Sequence, residues 1–108
     1  MAMVNRFDVY LINLDDEVSD DPKNTRPAVV ISPDEANRHL NHVVIAPLSA
    51  TNSRYPTRLP ITFLNAERFV IIDQIRTVEN GRLVKRIGSV DDESASAIAS
   101  LLLENFAA

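Results

Sequence analysis

Asn24-Thr25-Arg26-Pro27-Ala28-Val29-Val30-Ile31-Ser32 is the stretch from which the fold reads outward. Pro27 disfavours helix for the residue before it, so Arg26 takes an extended conformation. Val29, Val30 and Ile31 are β-branched and continuous, the pattern of a short buried strand over 27–32. A guanidinium is therefore held at a strand entrance with a polar loop before it. That placement suits a phosphate or carboxylate ligand, and it equally suits pairing with a nearby acid.

The neighbouring segments extend the same picture. Upstream, residues 7–14 alternate, with Phe7, Val9 and Leu11 against Asp8, Tyr10 and Ile12, which predicts a first strand. Residues 15–24 are polar, carry five acids and a proline, and read as a loop. Downstream, Ser32 is the expected N-cap and Pro33 the first residue of a short helix reaching Leu40, with Asp34 and Glu35 in its first turn. Residues 42–48 predict a third strand, with Pro47 at its end or at a bulge. A second polar loop runs from Ser49 to Pro56. Residues 57–63 and 69–75 predict two more strands around a turn at Asn65-Ala66-Glu67, and a turn over 78–81 leads to a short strand over 82–86. Gly81 and Gly88 are assigned to turns. Asp91-Asp92-Glu93 opens a terminal helix whose apolar stripe is Ala95, Ile98, Ala99, Leu102 and Phe106. Many strands, short connections and few helices predict an α+β fold: a small, strongly twisted antiparallel β-barrel with a short helix after strand 2 and a C-terminal helix.

The chain has 108 residues, enough for one domain with a modest core. It has no cysteine, which excludes disulfides, thiolate metal sites and a cysteine nucleophile. No apolar run approaches the ~20 residues that cross a bilayer, and Met1-Ala2-Met3-Val4-Asn5-Arg6 lacks the apolar core of a signal peptide. A cytoplasmic protein is expected. The net charge is −4, but it is unevenly spread. Residues 51–90 hold seven bases and three acids, net +4, while 1–50 and 91–108 are each net −4. A basic face for a polyanion fits this distribution, and so does a solvated strand surface with scattered arginines. His39 and His42 lie at a helix end with no third ligand near, so they read as surface residues. No metal or cofactor is expected. What remains is a set of polar loops at strand ends, bearing Arg26, Ser49, Thr51, Asn52, Arg54 and Tyr55, with Asp73, Gln74 and Arg76 at a further strand end.

Four segments, in order and in register over nearly the whole chain, resemble the MazF/PemK (Kid-like) endoribonuclease toxins. They are Arg6-Phe7-Asp8-Val9-Tyr10-Leu11, Thr25 to Ser32, Ala46-Pro47-Leu48-Ser49 with Tyr55-Pro56 behind it, and Asp73-Gln74-Ile75-Arg76-Thr77. The resemblance implies the SH3-like barrel of the Kid, CcdB and MazF toxins, a homodimer, and an antitoxin partner with a disordered acidic C-terminal segment. It implies metal-independent cutting of single-stranded RNA, in which the ribose 2′-OH attacks phosphorus to leave a 2′,3′-cyclic phosphate and a 5′-OH.

By the same resemblance Arg26 matches the catalytic arginine and Ser49 the catalytic threonine or serine. Asp21 falls where the family's first loop carries a glutamate, either to accept the 2′-OH proton or to orient Arg26. Tyr55 is assigned to stacking on a base, and Asn24, Thr51, Asn52, Arg54, Gln74 and Arg76 to base edges or phosphates; for Gln74 and Arg76 a role in the dimer or the fold stays open. The chain departs from the pattern in three places: Phe7 replaces a glycine, the first loop reads Ser19-Asp20-Asp21 where Gly-x-Glu is usual, and Ile71 stands where some Kid-like members carry an arginine. The alternatives are a non-catalytic toxin of the same fold that binds DNA gyrase, as CcdB does, and a degenerate, inactive homologue.

Overall fold

The computed structural model describes residues 3–13, 25–50 and 58–106. In chain order the elements are β1 (Asp8–Asn13), β2 (Thr25–Val30), α1 (Asp34–His39), β3 (His42–Ser49), β4 (Arg58–Phe63), β5 (Ala66–Ile71), β6 (Arg76–Glu79), β7 (Leu83–Ser89) and α2 (Asp92–Phe106). Short 3-10 turns at Ile72–Gln74 and Asn80–Arg82 flank β6. The strands form one antiparallel sheet in the order β4-β5-β3-β2-β1-β7, with β6 added to β3. The fold is α+β.

β3 is the strand on which the sheet turns. One edge pairs with β2, from Ala28↔Pro47 to Val30↔Ile45. Its other edge pairs first with β6, over residues 42–45, and then with β5, over Leu48 and Ser49. The 3-10 turn at Ile72–Gln74 marks the change of partner. Pro47 falls between the two pairings on that edge, a position where a missing N–H interrupts no regular ladder.

Two apolar clusters follow from the alternation of side chains across the sheet. The first joins Val9, Val29, Ala46, Leu48, Ile61, Phe63, Val70 and Ile72 to Ile98 of α2. Burying Ile98 completely stabilises the helix on the sheet by roughly 1.5–3 kcal/mol. The second cluster, on the opposite face, holds Tyr10, Ile12, Ala28, Val30, Val43, Ile45 and Val78.

Several expectations change on contact with the structure. Phe7 lies outside β1 in a turn with φ 72°. The Phe7 N–H donates to the Val30 carbonyl at 2.7 Å and the Phe7 carbonyl accepts from the Val90 N–H at 3.0 Å, so tertiary bonds fix this backbone. Ser32 does not cap α1. Its hydroxyl donates to Asn37 Oδ1 at 2.5 Å and accepts from the Val44 N–H at 3.1 Å, tying helix to strand.

The β4–β5 turn is Leu64-Asn65, with φ 50° and 62°, and Ala66 and Glu67 already belong to β5. Residues 76–79, divided in the sequence reading between a strand end and a turn, form β6. Gly88 sits inside β7 with φ 154°, beside a register shift against β1. Phe106 is 58% exposed, and Leu101 packs on the core in its place.

Candidate nucleic-acid interface

Arg26 begins from the local rule that Pro27 imposes and ends in a ladder. It lies in β2 opposite Ile12 of β1, exposed, with Nη1 donating to the Thr25 carbonyl at 3.1 Å. The β2–β3 pairs advance one residue at a time, Val30↔Ile45, Val29↔Ala46, Ala28↔Pro47. Arg26 and Ser49 each lie two residues beyond the last of these pairs, Ala28↔Pro47, and so on the face of that pair. Ser49, half-buried, is itself paired with Phe69 of β5. Ile12 and Arg26 thus form one pair of the sheet, and Ser49, Phe69 and Pro60 form a row across three strands.

Directly opposed residues share a face. The face of Arg26 and Ser49 is that of Ala28, Val30 and Ile45, so the polar pair stands at the end of the second apolar cluster. Arg76 is on the same face, opposite Ile45 and exposed. It is four residues along β3 from Ser49, about 13 Å by strand rise. Gln74 is exposed in the 3-10 turn between β5 and β6. Asp21, Asn24, Thr51, Asn52, Arg54 and Tyr55 lie outside the described residues.

One side chain on this face has a setting that the sequence did not single out. Arg58 opens β4 opposite Ile71, and its Nε stands 3.8 Å from Asp73 Oδ1. It could be found only from the pairing register, because the alternation of 57–63 shows an arginine on the polar side of a strand and nothing about its neighbours.

Other charged groups hold the scaffold. Asp8, 4% exposed at its side chain, receives Arg86 Nε at 3.1 Å and the Asn5 N–H at 3.0 Å, which closes the entrance of β1. Burial, with the Asp8 charge behind it, pushes the neighbouring Tyr10 phenol above its usual value, and Arg86 opposes that rise. Arg82 Nη1 donates to the Asn13 carbonyl at 3.2 Å, so the turn before β7 is tied to the end of β1. His39 and His42 are both exposed. Among the described residues no group of three His, Asp or Glu side chains is placed to hold a metal ion, and no helix is long and apolar enough to cross a membrane.

The arrangement offers an exposed guanidinium and a half-buried hydroxyl on one face of the sheet, with further arginines on the same face. Such a surface can bind an anion and donate to charge that grows on it.

Comparison with known proteins gives a consistent result. Residues 5–106 match the family described as the PemK-like, MazF-like toxin of type II toxin–antitoxin systems. The chain is 29% identical over 109 residues to "Endoribonuclease EndoA" of Bacillus subtilis, an alignment covering 93% of this chain and 91% of that protein. An "Endoribonuclease from Mycobacterial species" superposes with a TM-score of 0.78 at 24% identity, covering 96% of this chain and 91% of its own. A MazE-MazF crystal structure from Deinococcus radiodurans superposes with a TM-score of 0.81 at 16% identity over 99% and 98% of the two chains.

Proposed function

The chain belongs to the PemK-like, MazF-like toxins of type II toxin–antitoxin systems, and on that membership we propose that it is a toxin that cuts single-stranded RNA at specific sequences without a metal ion. The observation that supports the proposal is that Arg26 and Ser49 lie on one face of the sheet, each two residues beyond the Ala28↔Pro47 pair. The name of the Bacillus subtilis relative, an endoribonuclease, supports the reaction class.

In the proposed reaction the ribose 2′-oxygen attacks the adjacent phosphorus and the bond from phosphorus to the 5′-oxygen breaks. The 2′-OH proton leaves to a base, Asp21 serving either in that role or to orient Arg26, and the departing 5′-oxygen takes up a proton from solvent. The Arg26 guanidinium stabilises the charge that grows on the phosphoryl oxygens, since an arginine is a permanent cation and a forked donor. The Ser49 hydroxyl donates to a phosphate oxygen beside it. Such preorganised donors are each worth roughly 10²–10³ in rate. The products are a 2′,3′-cyclic phosphate and a 5′-OH end. Tyr55 stacks on an unpaired base, and Asn24, Thr51, Asn52, Arg54, Gln74 and Arg76 read base edges or hold phosphates.

The finer architecture belongs to the same proposal. One domain is a barrel-like sheet whose end strands β4 and β7 approach where Phe63 packs on Gly88. It works as a cytoplasmic homodimer. It is neutralised by an antitoxin whose acidic segment orders on the basic surface, and a structure titled as an endoribonuclease in complex with its cognate antitoxin is among those of the same fold.

The experiment is incubation of the purified protein with a long RNA in EDTA. Discrete fragments with 5′-OH ends, lost in Arg26→Ala and in Ser49→Ala, support the proposal. Intact RNA together with inhibited DNA supercoiling overturns it.

A further inference from the structure

We propose that α2 forms the seam of the homodimer. Two copies of the chain pack the outer face of α2 against its own equivalent, antiparallel, about a two-fold axis between Leu102 and Leu103. The inference rests on the homodimer of the proposed function and names the surface that makes it.

The first support is that α2 carries two apolar faces where the fold uses one. Ala95, Ile98, Leu101 and Leu102 pack on the first cluster and hold the helix to the sheet. A second stripe runs through Ala99, Leu102, Leu103 and Phe106, the spacing of one helix face. With Ile75 and Arg6 these four line an open groove of about 510 Å³. Leu103 is 69% exposed and Phe106 58%. A lone exposed leucine is ordinary. A leucine and a phenylalanine on one apolar groove mark a surface made for contact.

The second support is that the stripe complements itself, as a contact across a two-fold axis must. In the antiparallel arrangement Leu102 meets the partner's Leu103, and Ala99 meets the partner's Phe106. The smallest side chain of the stripe thus faces the largest, and the hole over Ala99 takes the ring. The charges agree. Arg6 borders the groove, and Glu104 is the one charged residue of α2 over 99–106. A second copy brings both signs to a surface that holds both. RNA or an acidic segment would meet a single cation among apolar side chains, a poor match in charge.

The seam also bears on the RNA site. Ile75 lines the groove, and its chain neighbours Gln74 and Arg76 are exposed. A copy seated there stands beside both, so the surface assigned to RNA continues from one protomer onto its partner.

The test is sedimentation equilibrium of the full-length protein, with RNA cleavage measured in parallel and folding checked by circular dichroism. The wild type is expected to be a dimer. Leu103→Glu alters an exposed side chain, so the fold is retained, and it is expected to raise the dimer Kd about a hundredfold or more. Ala99→Phe fills the hole and is expected to weaken the dimer. Ala99→Phe with Phe106→Ala in the same chain exchanges the small and large partners and is expected to restore it. A Leu103→Glu protein with the wild-type Kd overturns the inference alone. An exchanged variant no tighter than Ala99→Phe overturns the antiparallel pairing and the inference with it. A monomeric wild type overturns both the homodimer and the seam. Uncut RNA with a dimer that Leu103→Glu dissociates overturns the endoribonuclease reading and supports the seam.

Discussion

Replacing Phe7 separates backbone strain from side-chain packing. Phe7 holds φ 72° although it is not glycine, and hydrogen bonds to Val30 and from Val90 fix it there. Its ring packs on the first cluster and lies under the Arg6 guanidinium, 4.8 Å from the ring centroid. Phe7→Ala and Phe7→Gly both lose those contacts, roughly 2 kcal/mol for a half-buried ring on the scale of Phe→Ala losses. They differ only in the backbone. At an ordinary position glycine is less stable than alanine by ~0.5–1 kcal/mol. Here alanine bears the left-handed penalty of ~1–2 kcal/mol, and glycine does not. The order therefore inverts, with Phe7→Gly above Phe7→Ala by about 0.5–1 kcal/mol, or about 2–6 °C in Tm for a domain of this size. Thermal or urea unfolding of both variants at one protein concentration reads the difference directly. An alanine variant at least as stable as the glycine variant refutes the reasoning.

Three further predictions concern the scaffold. Gly88→Ala places a Cβ 3.0 Å from Phe63 Cζ at φ 154°, so a loss of about 2–4 kcal/mol is expected in urea unfolding. Leu64, 68% exposed at φ 50° in the β4–β5 turn, is a poor residue for a turn with two positive φ angles. Leu64→Asn is expected to raise stability by about 0.5–1 kcal/mol, seen as a higher Tm. The Ser94 N–H donates to Asp91 Oδ1 at 2.7 Å, and this bond above all holds the Asp91 carboxyl below its usual value. A carboxylate with a lowered folded value stabilises above its unfolded pKa and loses that contribution as pH falls through the folded one. Asp91→Ala should therefore lower Tm at pH 7 and lower it less at pH 3.

Local chemistry carried much of the fold, and the misses share a cause. The β-branched run 29–31 and the alternation of 57–63 mark strands because their side chains meet a core on a period of two. The negative start of α2 is legible because Asp91 acts within its own turn. Phe7 misled because alternation registers side chains only, whereas its φ is set by bonds to residues more than twenty positions away. β6 was hidden because it is four residues long and only Val78 is buried. The run 69–75 looks unbroken in sequence, yet β3 exchanges β5 for β6 along it. At the site, Pro27 made Arg26 legible as a placed cation. That Ser49 shares its face becomes visible through pairing register, and that Arg58 does through two registers in succession.

The measurement closest to the central claim is a double-substitution cycle on RNA cleavage. kcat/KM is determined for the wild type, Arg26→Ala, Ser49→Ala and the double variant, with folding checked by circular dichroism. Groups that act together on one phosphate are strongly non-additive. The account predicts a loss of about 10²–10³ for each single change, and a double variant close to the worse of the two. Losses that multiply, or a Ser49→Ala enzyme as fast as the wild type, would contradict it.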